Sequence, residues 1–266
     1  MALTPQVMGI VNATPDSFFP ASRTAAATDA LARGLAHFDA GADVVDVGGE
    51  STRPGAGPVA LDEELARVIP VVAGLSEAGP VSIDTQKAEV ARAAVAAGAS
   101  IINDVSCTLI DVAGDMGVGY VAMHRQGDAA TMQLSPTYDD VVGEVEAFLE
   151  AAATSARRAG VGELWLDPGI GFGKTLEHNL TLLAATDRLV AMAARHGAGL
   201  LIGTSRKRFL GSLGPRELDV DERLEGTIAT EAWCLMMGAA MVRAHDVASA
   251  VQLRELIARP IREDAT

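Results

Sequence analysis

The chain has 266 residues, 49% of them hydrophobic and only 4% aromatic, with a net charge of −14 and two cysteines. That is apolar material for one large core or two small ones. The acidity excludes a general nucleic-acid surface, two thiols exclude a disulfide framework, and no apolar run approaches the ~20 residues of a membrane span.

The opening MALTPQVMGIVNAT lacks the basic and long apolar regions of a signal peptide, so the expectation is a soluble, cytoplasmic protein. Eight short β-rich runs follow in order: QVMGIVNAT (6–14), DVVDVGGE (43–50), PVSIDT (80–85), SIINDV (100–105), GYVAMHR (119–125), LWLDPG (164–169), GLLIGTS (199–205) and AAMVRAHD (239–246). Apolar positions at helical spacing lie between them. Leu31, Leu35 and Phe38 form one stripe, and Leu61, Leu65, Val68 and Val72 a second. Val141, Val145, Phe148, Leu149 and Ala152 form a third, and Leu224, Ile228, Ala232 and Leu235 a fourth. Glycines at 41, 98, 160 and 238 stand where helices hand over to strands.

Strands alternating with helices predict a parallel sheet, either closed or doubly wound. Eight units in this length favour a single (β/α)8 TIM barrel over residues 1–266, with PIREDAT as a frayed tail. The segment from Asn12 to Thr24 reads as a loop that closes over bound ligand, with Arg23 either turned inward or solvated.

Every strand candidate ends in polar residues. They are Asn12, Asp46 running into GGESTRPG, Asp84, Asn103 with Asp104, His124, Asp167, Ser205 to Lys207, and Arg243 to Asp246. In a barrel these ends face one bowl. Asp46, Asp104 and Asp246 are read as caps or supporting groups. The remainder divides by charge. Asp84, Asn103 and Asp167 are acceptors and suit a ligand edge rich in N–H groups, such as an amino-pyrimidinone. Arg53, Lys207, Arg243 and His245 are cationic and suit a phosphate or diphosphate. The stretch LDPGIGFGKT (166–175) is not the G-x-x-x-x-G-K-[ST] phosphate cradle, because one residue separates successive glycines. Phe172 is placed beside the ligand ring, and Lys174 reads either as a surface cation or as part of the site.

These residues carry a resemblance over nearly the whole chain. MGIVNATPDSF (8–18), DVGGESTRPGA (46–56), VSIDT (81–85), INDVS (102–106), MHRQG (123–127), LDPGIGFGKT, GTSRKRFLG (203–211) and VRAHDV (242–247) resemble, in order, the motifs of the dihydropteroate synthase family. The resemblance implies a pterin-binding barrel that joins 6-hydroxymethyl-7,8-dihydropterin diphosphate to p-aminobenzoate in folate biosynthesis. It implies that Asp84, Asn103 and Asp167 hold the pterin edge and that Lys207 reaches the ring. Thr52, Arg243 and His245 would hold the diphosphate, Asn12 would place Mg²⁺ on it, and Arg53, Phe172 and Ser205 would line the p-aminobenzoate side. Removal of Arg243 is then expected to cost diphosphate binding and to spare ring binding. A homodimer and sulfonamide sensitivity are further family expectations.

The chain departs from the family pattern at FPASRT (19–24), where many members read Ser-Asp-Gly-Gly, and at Cys107, where the usual residue is Gly. The rivals are a pterin-binding methyltransferase on the same barrel, an inactive pterin-binding paralogue, and a Schiff-base aldolase using Lys207.

Overall fold

A computed structural model describes residues 4–13, 20–50, 57–127 and 131–259, with only the backbone for 20–25. The first half of the chain runs β1 (Gln6–Asn12), α1 (Pro20–Asp39), β2 (Val44–Gly48), α2 (Leu61–Leu75), β3 (Val81–Asp84), α3 (Ala88–Ala96), β4 (Ile101–Asp104), α4 (Ile110–Met116) and β5 (Gly119–Met123). There follow α5 (Val141–Arg158), β6 (Leu164–Asp167), α6 (Leu176–Ala184), α7 (Thr186–Arg195), β7 (Gly199–Ile202), α8 (Arg208–Gly211), a 3-10 turn at Val220–Arg223, α9 (Leu224–Met236), β8 (Met241–Ala244) and α10 (Val247–Ala258). All strands are parallel, and β8 pairs back onto β1 to close the barrel. The expected TIM barrel is therefore the observed one.

Strand periodicity of two explains both the core and the site. Met8, Val44, Ile101, Val121, Trp165, Leu201 and Met241 form a separate buried cluster, one residue from each of seven strands. They plug the lower half of the barrel. Two residues further along, on the same face, come Ile10, Asp46, Asn103, Met123, Asp167, Gly203 and Arg243. The side chains that follow the apolar plug are thus delivered to the C-terminal mouth. Residues of the opposite parity, such as Val45, Ile83, Ile102, Tyr120, Leu166 and Val242, join the large cluster under the helices.

Parity also sorts the acids. Asp104 lies one residue past Asn103, on the helix side. It accepts hydrogen bonds from Ser106, Thr108 and Leu109 backbone N–H and from the Tyr120 hydroxyl, so it shapes the turn into α4. In that turn Cys107 adopts φ 57°, a conformation that favours glycine. This accounts for the usual glycine there.

Three helix readings need correction. Pro20 opens α1, where its fixed φ and missing N–H cost nothing; the loop read over 12–24 is therefore shorter, and Arg23 sits in a helix. Residues 14–19, and the Arg23 side chain, lie outside the described residues. Leu35 and Phe148 of the predicted stripes are 39% and 37% exposed. On α9 the buried face is Thr227, Glu231, Cys234 and Leu235 rather than Leu224, Ile228 and Ala232. The face is turned because Thr227 Oγ1 accepts from the Arg206 N–H, and Trp233 Nε1 donates outward to Leu183 O.

Glu231 is thereby buried, and its Oε1 has no hydrogen-bond partner among the described residues. Burial, then the charge of Asp246, pushes its carboxyl up to about 8 from an ordinary 4.5. Between those values the folded state holds the extra proton. The contribution is whole below the lower value and is lost as pH climbs through the upper one. Glu231→Gln should match the wild type near pH 4 and exceed it by at least ~1 kcal/mol at pH 9 in urea denaturation; a pH-independent difference would contradict the burial argument. Cys107→Gly is expected to raise stability by about 0.5–1 kcal/mol in thermal unfolding, through relief of the left-handed strain.

Candidate active site

Asn12, Asp84, Phe172, Ser205, Lys207, Arg243 and His245 line one cavity of about 740 Å³ at the C-terminal mouth. Asn103 and Asp167 are buried beside it rather than on its lining, with Asn103 in register with Asp84 across β3 and β4. Thr52 and Arg53 lie outside the described residues.

The expected separation of acceptors from cations does not hold. Arg243 Nε donates to Asp46 Oδ2 at 2.7 Å, and Nη2 approaches the same oxygen at 2.6 Å and Asp84 Oδ2 at 2.9 Å. Asn103 Nδ2 donates to Asp46 Oδ2 at 3.0 Å. A buried carboxylate needs such donors, and β2, β3, β4 and β8 each contribute one member. Burial pushes Asp84 up to about 7, with Arg243 opposing and Asp46 adding to the rise. Burial also raises Asp167, against the pull of Lys207. Asp84 Oδ1 remains buried with no hydrogen-bond partner among the described residues. Loss of Arg243 would therefore strike the ring side as well as the anion side.

The glycine stretch after β6 is a pinned loop. Gly169, at φ 66°, sits so close to His124 O that a Cβ would meet it at 1.8 Å. Gly169 N–H donates to Asp167 Oδ1, Gly171 N–H to Asn179 Oδ1 and Phe172 N–H to Gly169 O. These donors are spent internally, which is why the loop is no phosphate cradle. Its carbonyls are taken too: Ile170 O by Lys207, Gly171 O by Gln133, Phe172 O by Lys174 and Gly173 O by the Tyr138 hydroxyl.

Lys174 is no surface cation. It is 3% exposed, bonds His124 Nδ1 at 3.0 Å, and burial drops it to about 7. His124 is lowered to about 3 by burial and by Lys174, so it stays neutral. Lys207 is lowered to about 8, chiefly by burial, and stands 4.6 Å from the Phe172 ring centroid.

On the far side, Ser205 Oγ contacts both the N–H and Nδ1 of His245 at 3.0 Å, so β7 orients a ring carried on β8. Between Ser205 and Lys207, Arg206 holds a strained φ of 54°. It forks onto Asp246 with two bonds of 2.8 Å, the supporting role expected of Asp246. Two contributors escaped notice in the sequence. One is Lys174 as a buried group. The other is Glu50, which lines the cavity and, with buried Glu64, brackets Lys87. Its position after two glycines was the only signal.

Fold and site together define a (β/α)8 enzyme whose mouth joins an acceptor-rich floor to a cationic wall. A family model for pterin-binding enzymes matches residues 8–245. The dihydropteroate synthase of Escherichia coli is 41% identical over 264 residues, covering 95% of this chain and 90% of that one. The Xanthomonas albilineans dihydropteroate synthase with 4-aminobenzoic acid superposes with a TM-score of 0.85 at 45% identity, over 95% of this chain and 91% of that one. A second structure of that enzyme, in complex with 7,8-dihydropteroate, gives 0.81 at 40% identity, over 96% and 92%. The chain belongs to the dihydropteroate synthase family of pterin-binding enzymes.

Arg243→Leu is expected to cost about 2–3 kcal/mol of stability at pH 8, where it strands two buried carboxylates; the value is discounted because Arg243 is partly exposed. The loss should shrink at pH 5, where the raised Asp84 takes up a proton. Urea denaturation at both pH values checks this, and an equal loss at both would contradict it.

Proposed function

We propose that the protein condenses 6-hydroxymethyl-7,8-dihydropterin diphosphate with p-aminobenzoate to give 7,8-dihydropteroate and diphosphate. The observation that carries this reading is the acceptor floor of Asp84, Asn103 and Asp167, with Asp84 Oδ1 unpaired among the described residues, set directly against Arg243, Lys207 and His245. A flat ring with an N–H edge satisfies the floor, and the anion on its side arm meets the wall.

In the reaction the bond from the methylene carbon to the diphosphate oxygen breaks, and the electron pair leaves with the diphosphate. The electron-rich ring shares the positive charge left on carbon. The aniline nitrogen of p-aminobenzoate supplies the new bond and then loses a proton. Arg243 and His245 stabilise the growing negative charge. Phe172 and Ser205 line the p-aminobenzoate side, the role the resemblance also gives Arg53, while it gives Thr52 to the diphosphate, and Lys207 lies between the two substrates, above Phe172. No protein nucleophile is required. A methyltransferase reading leaves the cationic wall without a purpose. The lowered Lys207 suits a Schiff-base lysine, but its ammonium is engaged with Ile170 O.

Among the described residues no group of three or more His, Cys, Asp or Glu side chains is arranged to hold a metal. Asn12, at the end of β1 and on the cavity wall, offers a single side-chain oxygen. That donor set fits Mg²⁺ that arrives on the diphosphate and keeps most of its water. When bound, the ion neutralises leaving-group charge. We further propose a homodimer, in keeping with the exposed Trp233 and Met236 on α9 and Leu256 on α10. The two free thiols, Cys107 and Cys234, favour a cytoplasmic location.

Incubation with the pterin diphosphate, Mg²⁺ and p-aminobenzoate should yield equimolar dihydropteroate and diphosphate; folded protein without turnover would overturn the assignment. Asp84→Ala and Asp167→Ala should each weaken 6-hydroxymethylpterin binding at least tenfold by calorimetry, about 1.4 kcal/mol for one unpaired ligand donor. Unchanged affinity in both would refute the ring placement.

A further inference from the structure

Asp46 is fully buried on β2 and does not line the cavity, yet it touches both halves of the site. Its Oδ2 accepts from Arg243 Nε and Asn103 Nδ2 and lies 2.6 Å from Arg243 Nη2, while its Oδ1 has no partner among the described residues. A carboxylate oxygen that accepts from Arg243 Nε–H and lies 2.6 Å from the charged Nη2 cannot donate. The atom that Asn103 turns toward it must therefore be the NH₂ nitrogen, and the amide oxygen is forced to the opposite side. Asn103 Oδ1 takes no hydrogen bond among the described residues. The same contact spends two of the three guanidinium nitrogens, and Nη1 is the one left over.

We propose that Asp46 is a positioning residue that fixes the hydrogen-bonding polarity of the site, so that Asn103 is held with its NH₂ on Asp46 and its amide oxygen toward bound substrate, and Arg243 offers Nη1. This rests on the assignment of Asn103 to the pterin edge. The ligand it selects is one that donates at that edge. An amide at position 46 carries both polarities and no longer dictates which way Asn103 turns.

The test uses Asp46→Asn, Asn103→Ala and the double variant, with 6-hydroxymethylpterin as the calorimetric probe. The expected result is at least a tenfold loss in each single variant and a double variant within twofold of Asn103→Ala, because Asp46 acts through Asn103. If Asn103→Ala loses affinity while Asp46→Asn stays within twofold of wild type, or if the two losses multiply, the positioning role is overturned and the ring assignment stands. If neither single variant loses affinity, the ring assignment falls and takes the proposal with it. A second readout needs no variant at position 46 to fold. The Asn103 side-chain NH₂ signal of the ligand-free protein, assigned by its absence in Asn103→Ala, should exchange slowly with solvent at pH 7. Rapid exchange would show that the amide is not held by Asp46 and would overturn the proposal.

Discussion

The site depends on one arginine held between two buried carboxylates. Arg243 reaches Asp46 and Asp84 from β8, and without it the two acids on the adjacent strands β2 and β3 would be left with too few donors. With it, the floor keeps acceptors to spare: Asp84 Oδ1 is unpartnered among the described residues, and Asn103 turns its oxygen away from Asp46. Stability and recognition are thus coupled. The group that satisfies the acids also lines the cavity, where the proposed reading sets it against the leaving anion. A ligand that brings N–H groups to Asp84 takes over part of the duty of Arg243 as it binds.

The barrel supplies the geometry at little cost. A plug of seven apolar side chains fills the lower interior, and the next inward positions emerge at the mouth. The loop after β6 then forms a rigid wall, because Lys207, Gln133, Lys174 and Tyr138 each take one of its carbonyls. Two of those donors are lysines lowered by burial to about 8 and about 7, with the charge of Asp167 opposing the lowering in both. Such preorganisation suits a reaction driven by the departure of an anion.

All eight strands, the closed barrel and the gathering of polar strand ends at one cavity were legible in the sequence, because a strand alternates strictly and its polar end is visible wherever an apolar run stops. The outward turn of Asp104 follows from the same parity. What was not legible depends on contacts between distant segments. The α9 face is rotated by Thr227 meeting Arg206 across 21 residues. Lys174 is drawn inside by His124, 50 residues earlier. The pairing of Arg243 with Asp46 and Asp84 spans 197 and 159 residues, and no local pattern announces that a cation read as an anion ligand also neutralises the floor. The start of α1 was misread for a simpler reason: Pro20 was taken as a loop residue when it opens a helix.

The most direct test of this account is a crystal structure of the protein with 6-hydroxymethylpterin and diphosphate bound together. The account predicts Arg243 still on Asp46, its Nη1 toward the diphosphate, and the ring's N–H edge on Asp84, the Asn103 oxygen and Asp167. A ring bound away from these three residues, or an Arg243 that has left Asp46 altogether, would contradict it.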